Sequence, residues 1–295
     1  MKLLYYPGCT MKTSAKNLEK SAFSIMNALG HELVEMENWN CCGVVSSLTD
    51  DDLMHHIAPL RNLIHVEDAG ADKVITLCDM CYNTLKQTNL RVQTRQDNLK
   101  TLNDFMDTEH DYKGTVKVIH FLEFLRDDVG FDVLKKLVKY PLKGMKIMPY
   151  YGCMLLRPRE VAIDDAEEPI ILSKLLMALG AKVIDNPFKI ECCGSYHTVE
   201  DKELVAKRAH RITNFAIERG SDAIVLSCPL CRFNLDVRGK EAEKLFNSYK
   251  QIPVFYYTQL IAVALGLDLK LCGFESHAVD PLILLKKKGV FEKEN

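Results

Sequence analysis

Ten of the eleven cysteines in this 295-residue chain fall into two copies of one spaced pattern. The first copy is Cys9, then Cys41-Cys42-Gly43, then Cys78-Asp-Met-Cys81; the second is Cys153, then Cys192-Cys193-Gly194, then Cys228-Pro-Leu-Cys231. Between cysteines the long gaps are 31 and 35 residues in the first copy and 38 and 34 in the second. Thiolates are soft, polarizable ligands, and five of them recurring at matched spacing point to bound metal. Three simpler readings compete. A disulfide framework suits short secreted domains, whereas this chain is long, has an odd cysteine count and shows no secretory leader. Structural zinc accounts for a C-x-x-C pair beside other cysteines, but it takes four ligands and each copy offers five. Free core cysteines behave as small hydrophobes and have no reason to repeat. Iron–sulfur ligation leads, and zinc is the second reading.

The repeat extends beyond cysteine, which says how the ligands are positioned. Met1-Lys-Leu-Leu-Tyr-Tyr-Pro-Gly-Cys9 matches Met145-Lys-Ile-Met-Pro-Tyr-Tyr-Gly-Cys153, and Ala28-Leu-Gly30 returns as Ala178-Leu-Gly180. Gly70 to Cys78 matches Gly220 to Cys228, and Val118 to Leu125 resembles Val254 to Ile261. A period near 150 residues describes a duplicated domain, since solenoid units are about 20 to 50 residues long. The expected division is 1–143 and 144–295, with Pro141 and Gly144 as punctuation. Within a unit the pattern predicts strand, helix, strand, helix, strand, helix. Strands are expected at Lys2–Tyr6, Glu32–Met36 and Val74–Leu77, and in the second copy at Lys182–Ile184 and Ala223–Leu226. Leu18, Ala22, Ile25, Met26 and Leu29 sit at helical spacing, as do Leu172, Leu175, Leu176 and Leu179. Further helices are expected over about 51–69 and 200–219. Alternating strands and helices imply α/β architecture: two tandem similar domains with parallel, Rossmann-like sheets. Each cysteine group then follows the end of a strand, so the groups converge on the carboxyl-terminal sheet edge.

Composition sets the surroundings. With 47% apolar residues there is enough for two ordinary cores, and a formal net charge of -2 gives no reason to expect nucleic acid as a partner. The longest apolar run, Leu260–Leu267, is far short of the roughly 20 residues that span a bilayer, so no membrane span is expected. No Gly-x-Gly-x-x-Gly follows a strand and no phosphate loop is present, so neither a flavin nor a nucleotide site is expected in this chain.

These motifs resemble the cysteine-rich CCG domain, and two such domains in a free-standing chain resemble the B-type subunit of heterodisulfide reductase. The resemblance takes in the tail, Tyr257 to Gly266 and His277 to Pro281; the gap of 34 before Cys228 is one short of the family's usual spacing. It implies reductive cleavage, by two electrons, of the mixed disulfide of coenzyme M and coenzyme B in the last steps of methanogenesis. It implies two non-cubane [4Fe-4S] clusters, one on Cys9, Cys41, Cys42, Cys78 and Cys81, the other on Cys153, Cys192, Cys193, Cys228 and Cys231. The implied partners are the C-type and A-type subunits of heterodisulfide reductase, with a hydrogenase or formate dehydrogenase in a larger cytoplasmic, electron-bifurcating complex. Related CCG subunits also occur in glycolate oxidase and in fumarate and succinate enzymes, so a purely electron-transferring subunit is the alternative; a zinc-stabilised scaffold is another.

Supporting residues follow from position. His197, three residues after Gly194, and His55-His56 are candidate proton donors, with a structural role as the alternative. Arg157, Arg159, Lys189 and Arg232 lie near the second set of cysteines and are candidates for a phosphate or sulfonate, or else surface charge. Cys272 has no repeat partner and reads as a structural thiol. Tyr5, Tyr6, Tyr150 and Tyr151 are expected to pack the strand ends.

Overall fold

The structure is a computed structural model that describes residues 1–44, 53–106 and 110–291. Its first half runs β1 (Lys2–Tyr6), α1 (Gly8–Met11), α2 (Lys16–Ala28), β2 (Glu32–Glu35), α3 (Met54–Asp68), β3 (Lys73–Thr76), α4 (Asp79–Thr94), α5 (Gln96–Met106), β4 (Lys117–His120), α6 (Phe121–Phe124) and α7 (Phe131–Leu137). The second half runs β5 (Lys146–Pro149), α8 (Ile171–Ala178), β6 (Lys182–Val183), α9 (Lys202–Glu218), β7 (Ala223–Leu226), α10 (Pro229–Arg232), α11 (Gly239–Leu245), β8 (Val254–Tyr256), α12 (Tyr257–Leu265) and α13 (Pro281–Lys288).

Each half forms a parallel four-stranded sheet, in the orders β2-β1-β3-β4 and β6-β5-β7-β8. The α/β architecture is the one the repeat predicts. The central strands are apolar and carry no alternation, as expected for sheets covered on both faces: β7 is buried at all four positions. The sequence pattern anticipates three strands per unit, and the fold has a fourth. β4 and β8 show in the sequence only as matching ends, because three or four strand residues pass directly into a helix and read as one apolar run. Part of the helix expected over 51–69 lies outside the described residues; the rest is α3.

The predicted helical stripes are buried, Leu29 only partly. Leu18, Ala22, Ile25 and Met26 of α2 are inaccessible, as are Leu172, Leu175 and Leu176 of α8 with Leu179 just past its end. Gly30 and Gly180 follow those helices at φ of 72° and 88°, the left-handed conformation that closes a helix with least strain in glycine.

The halves exchange helices. After β8, α12 packs on α2 of the first half, while α7 packs on α8 of the second. Ser21 Oγ and Thr258 Oγ1 share a buried hydrogen bond of 2.7 Å across the α2–α12 contact. The backbone N–H groups of Lys139 and Tyr140 donate to Ala264 O at 2.8 and 2.9 Å. One apolar cluster accordingly runs through both halves. Truncating a side chain in this shared layer leaves a cavity that neither half closes alone. Ile261→Ala, at a fully buried position of α12, is expected to cost about 2 to 5 kcal/mol in chemical denaturation, whereas Ile283→Ala, 68% exposed on α13, should stay within about 0.5 kcal/mol.

Candidate metal centre

The parallel sheets deliver each cysteine group to a strand's carboxyl end. Cys9 lies in α1, two residues after Pro7 ends β1, and Cys41-Cys42 lies in the loop beyond β2. Cys78 caps the amino end of α4 and Cys81 occupies its first turn; Cys228 and Cys231 hold the same places in α10. Positions i and i+3 share a helix face, so each C-x-x-C points two sulfurs the same way. Cys153 follows β5, and Cys192-Cys193 lies between the 3-10 turns Pro187–Ile190 and Ser195–His197.

Buried tyrosines fix the loops that carry the paired cysteines. Tyr6 donates its hydroxyl to Asn40 O, and Tyr150 donates to Glu191 O, each at 2.7 Å and each to the residue before a Cys-Cys pair. Tyr5 bonds Glu19 at 3.1 Å, and Tyr151 Oη accepts from Leu172 N–H at 2.7 Å. All four rings are buried, so they pack the strand ends as expected and position the loops as well. The glycine before each first cysteine recurs in both copies, and its close contacts give the reason. A Cβ on Gly8 would meet Cys81 Sγ at 2.7 Å, and one on Gly152 would meet Cys231 Sγ at 3.1 Å. The glycine after the second pair brings backbone to sulfur: Gly194 N–H donates to Cys192 Sγ at 3.3 Å. Asn234 Nδ2 donates to Cys193 Sγ at 3.4 Å, a contact with no signal in the spacing.

Within each set the thiols hydrogen-bond one another. Bonds from Cys41 and Cys81 hold the Cys42 thiol well below its ordinary pKa, and the bond to Cys42 raises Cys41. In the second set Cys153 and Cys193 lower Cys192, while the bond to Cys192 raises Cys153 and Cys193. Cys81 and Cys231 are raised by their bonds to the neighbouring cysteines, then by burial. Each set therefore has one sulfur whose neighbours favour its thiolate, Cys42 in the first and Cys192 in the second. Among the described residues no three His, Cys, Asp or Glu side chains are grouped to hold a single metal ion. The donors of each half are all sulfur, which suits a thiophilic group; Cys9 joins the first set only through its field on Cys41. Exposure is graded: Cys9 and Cys41 are exposed, Cys153 and Cys192 partly so, and the other six are buried.

The two sets also approach each other. Burial and the fields of Asp79 and Cys78 oppose the bond from Cys231 that favours the Cys228 thiolate, and the Cys228 pKa rises. Burial raises Tyr256, and both Cys228 and Cys78 add to it. The deep C-x-x-C pairs of the two halves thus face a common boundary.

The other candidates are placed elsewhere or otherwise engaged. His197 is more than half exposed, and its Nδ1 faces Glu200 at 3.9 Å. His56 is buried and its Nδ1 bonds Thr88 Oγ1 at 2.8 Å, within the α3–α4 packing. Lys189 is paired with Asp185 at 3.0 Å and Glu168 at 3.3 Å. Arg232, almost wholly buried, is paired with Asp236 at 3.0 Å and bonds the Ser276 carbonyl. These two cations are committed within the fold; Arg157 donates to Ile190 O at 3.0 Å, and both it and Arg159 are exposed. Cys272 is inaccessible, and burial raises its thiol to about 12, as suits a structural residue.

Residues 3–86 and 147–236 each match the cysteine-rich CCG domain. The chain belongs to the CCG family. It carries two copies of the domain, and relatives match nearly its whole length. It is 32% identical to the 8-methylmenaquinol:fumarate reductase membrane anchor subunit of Wolinella succinogenes, over 94% of this chain and 96% of that one. It is 29% identical to the B-type subunit of the ferredoxin/F(420)H(2)-dependent CoB-CoM heterodisulfide reductase of Methanosarcina acetivorans, over 97% and 96%. Its fold superposes on a hypothetical protein from Helicobacter pylori with a TM-score of 0.76, at 11% identity over 94% of this chain and 51% of that one. No helix among the described residues is long and apolar enough to cross a membrane.

The glycine cradle can be tested with an internal control. Gly8 and Gly30 have similar positive φ values, 68° and 72°, but a Cβ at Gly30 meets nothing within 4 Å. Gly30→Ala should lose only the about 1 to 2 kcal/mol of left-handed strain. Gly8→Ala should lose clearly more in a thermal melt of the same protein, because the Cys81 sulfur must also move.

Proposed function

We propose that this CCG protein is the redox subunit of a heterodisulfide-reductase-type complex, divided as 1–143 and 144–295, with one non-cubane [4Fe-4S] cluster in each half. Cys9, Cys41, Cys42, Cys78 and Cys81 hold the first, and Cys153, Cys192, Cys193, Cys228 and Cys231 the second. What supports this reading is that the cysteines of each half follow the carboxyl ends of one parallel sheet and lie within the matched residues 3–86 and 147–236. When bound, such clusters supply two electrons and thiophilic metal for cleaving the coenzyme M–coenzyme B disulfide into two thiols.

The chain's own residues divide the work. The buried C-x-x-C pairs fix the floor of each site, Tyr6 and Tyr150 hold the Cys-Cys loops, and Asn234 and Gly194 N–H stabilise anionic sulfur by donating to it. Substrate approaches where the cysteines are exposed, at Cys9 and Cys41 and at Cys153 and Cys192, because the depth between the quintets is filled by buried side chains. Arg159 remains as an exposed cation for an anionic substrate, since Lys189 and Arg232 are paired within the fold and Arg157 faces Glu167 at 3.8 Å. His197 is exposed enough to exchange protons with solvent at that rim. The partners are heterodisulfide reductase subunits of the C and A type, with a hydrogenase or formate dehydrogenase behind them, and the location is the cytoplasm.

The 32% identity to the Wolinella fumarate reductase subunit favours a second reading, in which both clusters only pass electrons within a fumarate- or succinate-type complex. One variant and one assay separate the readings. Cys193→Ala in anaerobically purified protein should lose the iron of one cluster, and with it disulfide cleavage driven by a reduced dye. Undiminished iron contradicts the ligand assignment. Intact wild-type iron with no cleavage of the heterodisulfide contradicts the substrate and leaves electron transfer.

A further inference from the structure

A chain of hydrogen bonds runs outward from the second quintet. Asn234 is inaccessible to solvent, and its Nδ2 donates to Cys193 Sγ at 3.4 Å and to Cys193 O at 3.3 Å. Its Oδ1 accepts from Thr198 Oγ1 at 2.8 Å. Thr198 is held in turn by Arg238, whose Nη2 donates to Thr198 O at 3.0 Å and whose Nε donates to Thr198 Oγ1 at 3.5 Å. Arg238 is itself fixed by Glu241 at 2.8 Å and lies over the Phe233 ring at 5.1 Å.

The donor and acceptor capacities of these groups set the direction of each bond. A guanidinium has donors only, so the Thr198 hydroxyl accepts from Arg238 and its single proton is left for Asn234 Oδ1. An amide whose oxygen is taken by a hydroxyl proton turns its NH2 group the other way, and Cys193 lies on that side. The orientation of a buried amide is thus determined by a threonine in the loop that follows Cys192-Cys193-Gly194.

The repeat offers a comparison. Asn234 stands three residues after Cys231, and the residue three after Cys81 is Thr84. The Thr84 hydroxyl donates to Met80 O at 2.8 Å, one turn back along α4. It has one proton, so its bond to Cys42 competes with that carbonyl. A hydroxyl divided in this way gives sulfur less than an amide whose oxygen is already engaged, and at this point two otherwise similar centres differ.

We propose that Thr198 is a positioning residue of the second metal centre: clamped by Arg238, it aims the Asn234 amide N–H at Cys193 Sγ and thereby raises the reduction potential of that centre alone. A hydrogen bond to a ligating sulfur stabilises the more negative, reduced state of a cluster, which is why it raises the potential. Acting on one half only, the relay makes the two potentials unequal and favours the second centre as the place where an electron settles.

This inference rests on the two-cluster reading, and its test separates the two. Wild-type, Thr198→Val, Thr198→Ser and Asn234→Leu proteins, and the protein combining Thr198→Val with Asn234→Leu, are purified whole and without oxygen. Each is assayed for iron and titrated with dithionite under electron paramagnetic resonance. Valine keeps the shape of threonine and removes the hydroxyl, whereas serine keeps the hydroxyl and removes the methyl. Thr198→Val should shift one midpoint potential negative and leave the other unmoved, at unchanged iron content, and Thr198→Ser should match the wild type. Asn234→Leu should shift the same potential at least as far, and adding Thr198→Val to it should bring no further shift, because no amide is left to orient. A purely structural disturbance would follow the methyl as well as the hydroxyl and would add in the combined variant. Wild-type protein without iron overturns the two-cluster reading and this inference with it. Full iron with unmoved potentials in Thr198→Val, equal shifts in Thr198→Val and Thr198→Ser, or additive shifts in the combined variant overturns the role of Thr198 alone. Should Asn234→Leu fail to load iron, the two Thr198 variants decide on the same terms. Iron lost from Thr198→Val alone supports the role of the hydroxyl, and iron lost from both Thr198 variants overturns it.

Discussion

A parallel sheet sends every strand out through the same edge, and this constraint generates the rest of the molecule. Because β1, β2 and β3 run side by side, the residues that follow them meet even though they are more than thirty positions apart in sequence. Strand ends are also where helices begin, so the cysteines arrive with helix amino termini and loop N–H groups already aimed at sulfur. Gathering five thiols is costly on electrostatic grounds once one ionises. The structure meets that cost with internal hydrogen bonds, with Asn234, and with the Gly194 N–H.

Duplication then does more than double the site. Since α12 covers α2 and α7 covers α8, the halves share one apolar layer and are held in a fixed relation. That rigidity is what allows Asp79 of one half to bond Ser227 of the other at 2.8 Å. A loose pair of domains would not keep this hydrogen bond away from water. The shared core, the buried boundary and the nearness of the two quintets are thus one arrangement seen at three scales.

Much of this is legible in the sequence, for identifiable physical reasons. The repeat of Met1–Cys9 at Met145–Cys153 exposes the duplication, and the periodicity of Leu18, Ala22, Ile25 and Met26 marks the helix that α12 covers. The ten cysteines stand out because thiols of this number and spacing suit little besides a metal centre. β4 and β8 are hidden by their shortness and by the helices that follow at once. Gly8 and Gly152 recur in the repeat without showing why, since a close approach to a sulfur some seventy residues away is a property of the fold. Lys189 and Arg232 look like anion receptors in the sequence, because charge near a cysteine along the chain does not reveal the carboxylate that pairs with it in space. Asp79 stands in plain view inside C-x-x-C, yet its bond is to Ser227, which only the packing of the halves brings near.

The central claim is that remote thiols of each half jointly hold an iron-based group. The most direct measurement is an anomalous-difference map at the iron edge from crystals of the protein grown without oxygen. The account predicts two compact multi-iron peaks, one among Cys9, Cys41, Cys42, Cys78 and Cys81 and one among Cys153, Cys192, Cys193, Cys228 and Cys231. A lone peak responding at the zinc edge, or iron bound away from the ten cysteines, would contradict it.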